Sequence, residues 1–265
     1  MITFLSLICW GFFSFLMGYN VTPNNIGLNI LWIFLGFFVF LVSGLIQILL
    51  YTIIARFTKP GNKLKTYLAL SSIFFLHTFF VHVLIKVHGK ENIPSGKKLT
   101  IYANHKTAFD PLLIMQACKF PLAFTPKKSL YKYPILKTWM NSFGSVPIDR
   151  DNSRETLKSL AKGIKLVKEG GALIIFPEGG IKDRTKDEMS ELKDGAFQIT
   201  LKSEADILPV SMKNLVKFRR SYFKLFTVIH IYIHPIIKFE QIKTMPSKDI
   251  GALLSKIINE GISKN

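Results

Sequence analysis

The chain has 265 residues, with 35 Lys and Arg against 17 Asp and Glu, for a formal net charge of +18. No charged residue precedes Arg56, so the whole excess sits on the later part of an otherwise aromatic-rich start. Zinc-finger spacing, an RNP signature and a helix-turn-helix pattern are all missing, which argues against nucleic acid as partner. Two cysteines, Cys9 and Cys118, exclude a disulfide framework and suit a reducing compartment.

The first apolar run, residues 2–17, is marginal for a membrane span, and no basic n-region marks it as a signal peptide. The second, residues 27–55, is long enough to cross with tilt. The following link holds Arg56, Lys59, Lys63 and Lys65 and no acid, which places it on the cytoplasmic side. The two runs then form a hairpin with its turn, residues 18–26, outside. A third apolar stretch, residues 67–85, carries His77 and His82. It reads as an interfacial segment that returns to the same side. Residues 1–85 are thus expected to be membrane-associated, and residues 86–265 to form a cytoplasmic domain at the inner membrane of the cell. A basic domain there gains about 1 kcal/mol for each Lys or Arg held near anionic lipid.

Beyond residue 86 short strands and helices alternate. Strands are predicted over 99–103, 121–125, 145–148, 172–176, 207–211 and 222–234. Asp110 as N-cap with Pro111 at the first helical position opens a helix over 110–118. A short helix covers 137–141. Asn152 or Ser153 caps a helix to Glu169, whose apolar positions Leu157, Leu160, Ile164 and Val167 follow helical steps. Further helices are predicted over 194–203 and 251–262. The class is α/β, a mixed sheet flanked by helices and preceded by transmembrane or interfacial helices.

Four blocks carry chemistry. Asn104-His105 and Asp110 form N-H-x4-D directly after the 99–103 strand. A neutral imidazole backed by a carboxylate can act as general base on a hydroxyl, worth about 10²–10⁴-fold in rate. Lys127 and Lys128 precede a second block, residues 144–150, that ends in Asp149-Arg150. The third is Phe176-Pro177-Glu178-Gly179-Gly180, and the fourth Leu208-Pro209-Val210. The first three fall where strands give way to loops or helices, the place where ligands collect in α/β sheets. Simpler roles compete: Asp110 as a helix cap is worth about 1 kcal/mol, and Arg150 can pair with Asp149 or Asp151. His230 and His234 on one strand lie about 13 Å apart, too far to share an ion, so they read as a solvated face and no metal site is expected.

These blocks, in this order, resemble the glycerolipid acyltransferase family, best known for 1-acyl-glycerol-3-phosphate acyltransferases, over residues 86–215. The run Lys193-Asp194-Gly195-Ala196-Phe197 also looks like the family's stretch after F-P-E-G. The resemblance implies acyl transfer from acyl-CoA or acyl carrier protein to a lysophospholipid hydroxyl at the membrane lipid bilayer, with no other cofactor. His105 would be the base and Asp110 its orienting acid. Asn104, Lys127, Arg150, Glu178, Gly179 and Gly180 would bind substrate, the basic pair at the acceptor phosphate. The family often continues F-P-E-G with T-R-S. Here Ile181 takes the arginine's place, with Lys182 and Arg184 as substitutes, so another lysolipid is an alternative acceptor, and a silent lipid-binding homologue an alternative function.

Overall fold

The computed structural model describes residues 1–58, 62–94, 98–149, 153–219 and 226–263. Lys59, Arg150, Asp151, Asn152 and the start of the predicted 222–234 strand lie outside the described residues. Two compact units divide at Val81 and His82.

In the first unit, α1 (Ile2–Asn20) and α2 (Ile26–Phe57) run antiparallel. Trp10 donates from Nε1 to the Ile33 carbonyl at 2.8 Å, and Gln47 reaches Ser6 at 3.1 Å. Gly36 lets the backbones close: a Cβ there would sit 2.4 Å from the Trp10 ring. Both helices are long and apolar enough to cross a membrane. At 1.5 Å per residue they span about 28 and 48 Å. Phe12, Phe15, Phe34, Phe38 and Ile46 are exposed along them, a larger apolar surface than a soluble monomer carries. The predicted third apolar stretch divides. Lys63–Phe79 forms α3, and the rest enters the sheet of the second unit as β1 (Val83–His88). Lys65, one of the basic link residues, donates from Nζ to the Thr58 carbonyl at 2.9 Å and so closes the end of α2.

The second unit is a six-stranded mixed sheet. After β1 come β2 (Leu99–Ala103), α4 (Asp110–Cys118), β3 (Ala123–Phe124), α5 (Pro134–Ser142), α6 (Ser153–Lys168) and β4 (Ala172–Ile175). Then follow α7 (Gln198–Ser203), β5 (Asp206–Lys213), α8 (Leu215–Arg219), β6 (Thr227–Ile233), α9 (Phe239–Ile242) and α10 (Ser247–Ser263). The strand order is β1-β6-β5-β2-β4-β3, parallel throughout except between β5 and β6. All five residues of β2 are buried, as expected of a strand covered on both faces. Tyr102, Leu173 and Ile207 face a core completed by Val167, Phe197, Leu254 and Ile258 from the helices.

Two predicted elements differ. Residues 145–148 do not form a strand; Val146 and Ile148 donate to the Phe124 and Pro126 carbonyls, leaving an isolated Lys127–Ile148 bridge. Pro126 and Pro147 bring no N–H to a ladder. The 194–203 helix starts as a 3-10 turn, Asp194–Phe197, before α7.

Candidate active site

Strands β2 and β4 are adjacent and parallel, with Tyr102 opposite Ile175. Their carboxyl ends therefore release Asn104-His105 and Phe176-Pro177 side by side. The His105 and Phe176 rings stack at 4.0 Å between centroids and 17° between planes.

Asp110 Oδ2 accepts from His105 Nδ1 at 2.8 Å and from the Lys106 and Thr107 amides at 2.7 and 2.9 Å. Its Oδ1 accepts from the Thr107 hydroxyl. An ionised carboxylate only accepts, so Nδ1 carries the imidazole proton and Nε2 keeps the free lone pair. The helix-cap reading of Asp110 is corrected. Helix α4 begins at Asp110, its N-cap is Phe109, and no side chain caps it. The carboxylate turns back to residues 105–107 because the preceding loop offers it four donors.

Glu178 was expected to shape the acceptor site, but its side chain is fully buried. Oε1 accepts from the His105 amide at 2.8 Å. Oε2 accepts from Lys106 Nζ at 2.9 Å and from the Ser190 amide and hydroxyl at 3.1 and 2.6 Å. Every donor comes from a neighbouring loop, so Glu178 fixes the backbone of His105. Asn104 is likewise buried and committed. Its amide bonds the Asp187 and Met212 carbonyls at 2.8 Å each, and its oxygen accepts from the Met212 amide at 2.9 Å. It ties β2 to β5 and leaves nothing free for substrate. Sequence reasoning missed Lys106 and Ser190; no local pattern marks a lysine buried against a glutamate seventy-two residues away.

Beside His105 opens a cavity of about 630 Å³. Val146, Ile148, Leu157, Leu160, Ile175 and Ile199 give it an apolar wall, and Phe176, Pro177, Gly179, Gly180 and Lys193 line it near the histidine's turn. Gly179 and Gly180 have φ of +70° and +149°, which suits glycine. The Gly179 N–H is given to the Phe176 carbonyl at 3.0 Å. Among the described residues the Gly180 N–H makes no hydrogen bond. Lys127 is exposed and does not line the cavity, although its neighbours Thr125 and Ile148 do. Arg150 lies outside the described residues.

Among the described residues no cluster of three His, Cys, Asp or Glu could hold a metal ion. His234, expected on a solvated face, is buried and bonds Ser211 at 2.6 Å. His230 instead meets His88 at 3.1 Å. Burial, with His88 and the nearby lysines Lys86 and Lys213, holds its pKa below the usual histidine range. Burial pushes the Cys118 thiol up to about 12, which makes it a poor nucleophile.

The sequence pattern of the Acyltransferase family matches residues 84–213, a span that holds every residue of this constellation. Residues 84–213 belong to the acyltransferase family. Among the relatives of this acyltransferase domain is the 1-acyl-sn-glycerol-3-phosphate acyltransferase of Borreliella burgdorferi, 28% identical over 65% of this chain and 69% of that one. A probable 1-acyl-sn-glycerol-3-phosphate acyltransferase of Mycoplasma pneumoniae is 29% identical over 66% of this chain and 65% of that one. The chain thus spans about two thirds of the length of these relatives. The Bacillus subtilis enzyme of the same name is 25% identical over 68% of this chain and 87% of its own. In fold, the chain is similar to the crystal structure of the 1-acyl-sn-glycerophosphate acyltransferase PlsC from Thermotoga maritima. The TM-score is 0.62 at 19% identity, over 100% of this chain and 99% of that one.

Proposed function

We propose that the chain is a membrane-bound acyltransferase. It moves a fatty acyl group from an acyl-CoA or acyl carrier protein thioester to the free hydroxyl of 1-acyl-glycerol-3-phosphate, giving phosphatidic acid. The names of the relatives support the acceptor. The observation that carries the chemistry is the His105–Asp110 pair at the edge of an apolar cavity.

His105 Nε2 takes the hydroxyl proton as the oxygen attacks the thioester carbonyl. Asp110 holds the ring and stabilises the imidazolium that forms, as the acid does in a Ser-His-Asp triad. When the intermediate collapses, the carbon–sulfur bond breaks and the imidazolium proton passes to the departing thiolate. The acceptor oxygen is itself the nucleophile, so no acyl-enzyme is formed. The apolar wall fits an acyl chain, whose burial yields about 0.8 kcal/mol per methylene. The two apolar helices hold the domain at the bilayer that supplies the acceptor, with the domain on the cytoplasmic side.

Purified protein is incubated in detergent with both donor types and several lysolipids, and the products are resolved by mass. His105→Ala is expected to slow phosphatidate formation by at least about a hundredfold while the protein stays in the membrane fraction. A rate equal to wild type removes the mechanism. A product from every lysolipid except the phosphate-bearing one transfers the activity to another acceptor.

A further inference from the structure

We infer that Lys193 is the cation that receives the acceptor's phosphate, an inference that rests on the reading of this site as a lysophosphatidate acyltransferase. Among the described residues that line the cavity, Lys193 is the one Lys or Arg. Its backbone is fixed to the motif turn, the Lys193 amide donating to the Pro177 carbonyl at 2.9 Å. Its side chain crosses Gly179 so closely that a Cβ added there would lie 2.7 Å from Cδ and Cε and 3.2 Å from Nζ. The bare glycine is what admits the lysine to this position. Pro177 and Gly179 belong to the turn whose Phe176 stacks on His105, so the Lys193 backbone is tied to the turn that flanks the base, and its side chain lies over that turn.

Among the described residues no ion pair or hydrogen bond occupies the Lys193 ammonium. The carboxylate nearest in sequence to the turn, Glu178, is saturated by its four donors. An unpaired cation that shares a cavity with His105, where the described lining residues include no Asp or Glu, attracts an anionic group. The Gly180 N–H, also unpaired at the cavity, adds a donor suited to a phosphate oxygen. The two residues expected from sequence to replace the missing arginine sit elsewhere. Lys182 pairs with Glu191 at 3.4 Å, and neither it nor Arg184 lines the cavity, whereas Lys193, exposed like both of them, does.

The acceptor and acyl-CoA both carry phosphate, and the test separates them. Wild type, Lys193→Met and Lys193→Arg are assayed as full-length protein in detergent. 1-Acyl-glycerol-3-phosphate is varied at saturating acyl-CoA, then the reverse, then uncharged 1-acylglycerol replaces the acceptor. Lys193→Met is expected to raise KM for the phosphate acceptor roughly ten- to hundredfold, the loss of one charge-assisted bond. Its KM for acyl-CoA and its rate on 1-acylglycerol stay at wild-type values, and Lys193→Arg stays close to wild type on all three. An unchanged acceptor KM, or a rise in the acyl-CoA KM instead, overturns the inference. Titration of 1-acyl-glycerol-3-phosphate into each protein without donor reads the same contact without turnover. Binding lost in Lys193→Met upholds the inference even if wild type transfers no acyl group, in which case the proposed activity alone falls. Equal binding by both proteins overturns the inference and leaves the activity standing. Thermal unfolding at the wild-type temperature shows that Lys193→Met folds, since the replaced side chain has no partner to lose.

Discussion

Asp110 is saturated by four donors, three of them backbone or hydroxyl groups of residues 106 and 107. It therefore fixes the loop and the imidazole tautomer with one carboxylate. Asp110→Asn can keep an oxygen where three N–H groups converge, but it removes the negative charge that would stabilise an imidazolium and replaces the oxygen that accepts from the Thr107 hydroxyl with an NH2. The expected result is a kcat loss of about 10²–10⁴-fold together with about 1–3 kcal/mol of stability. Urea unfolding beside the kinetic assay measures both, and a full rate at reduced stability would reduce Asp110 to a loop anchor. Lys106 and Glu178 form a fully buried pair. Breaking such a pair from one side costs about 3–5 kcal/mol because the other charge stays buried and alone. Lys106→Met is expected to show that loss in denaturant midpoint, whereas Ser190→Ala, which removes one neutral donor to Glu178, costs about 1 kcal/mol. Equal midpoints for the two variants would contradict the burial of the pair.

At the scale of elements, the site exists because β2 and β4 are parallel neighbours. The chain leaves β2 for α4 and β3, returns to insert β4 between them, and then crosses to β5 on the far side of β2. Both motif loops consequently emerge at the same edge. Helix α6 supplies Leu157 and Leu160 to the cavity, and its Gly163 lets it close on α7, where a Cβ would meet Ile199 at 2.9 Å. A helix that forms one wall of an acyl cavity controls how much chain fits. Leu160→Trp is expected to shift use from long to short acyl-CoA, read as the ratio of products when both donors compete. An unaltered ratio places the acyl chain elsewhere.

For the molecule as a whole, charge is partitioned along the chain: none before Arg56 and a net +18 from it onward. The uncharged part forms α1 and nearly all of α2, with outward aromatic residues, and the charged part forms the end of α2, α3 and the sheet domain. Phe34 is 69% exposed on α2, and a lysine near mid-bilayer costs about 2.5–3.5 kcal/mol. Phe34→Lys is expected to move protein from the membrane pellet to the soluble or aggregated fraction after an alkaline wash; unchanged pelleting means that this face does not meet lipid. Sealed right-side-out vesicles test the sidedness. Residues 82–265 resist external protease if the domain is cytoplasmic, and cleavage there reverses the topology.

The sequence by itself determined the α/β class, strand β2, helix α4 and the sites of the motif loops, because hydrophobic periodicity and Gly or Pro punctuation are local signals. It also identified the N-H-x4-D pair, since His105 and Asp110 are five residues apart and one loop joins them. It did not show that Glu178 and Asn104 are buried and hydrogen-bonded within the fold, and it misplaced Asp110 as a cap. Which partners a polar side chain satisfies depends on what the fold brings beside it: Ser190 and His105 for Glu178, Met212 and Asp187 for Asn104. Lys193 opened a run that resembled the family's stretch after F-P-E-G, with no role attached to its side chain. Only the tertiary structure set it over Gly179 at the cavity that His105 also lines, because the folding of a long loop back onto the motif turn, not neighbouring residues, decides which charge faces a cavity.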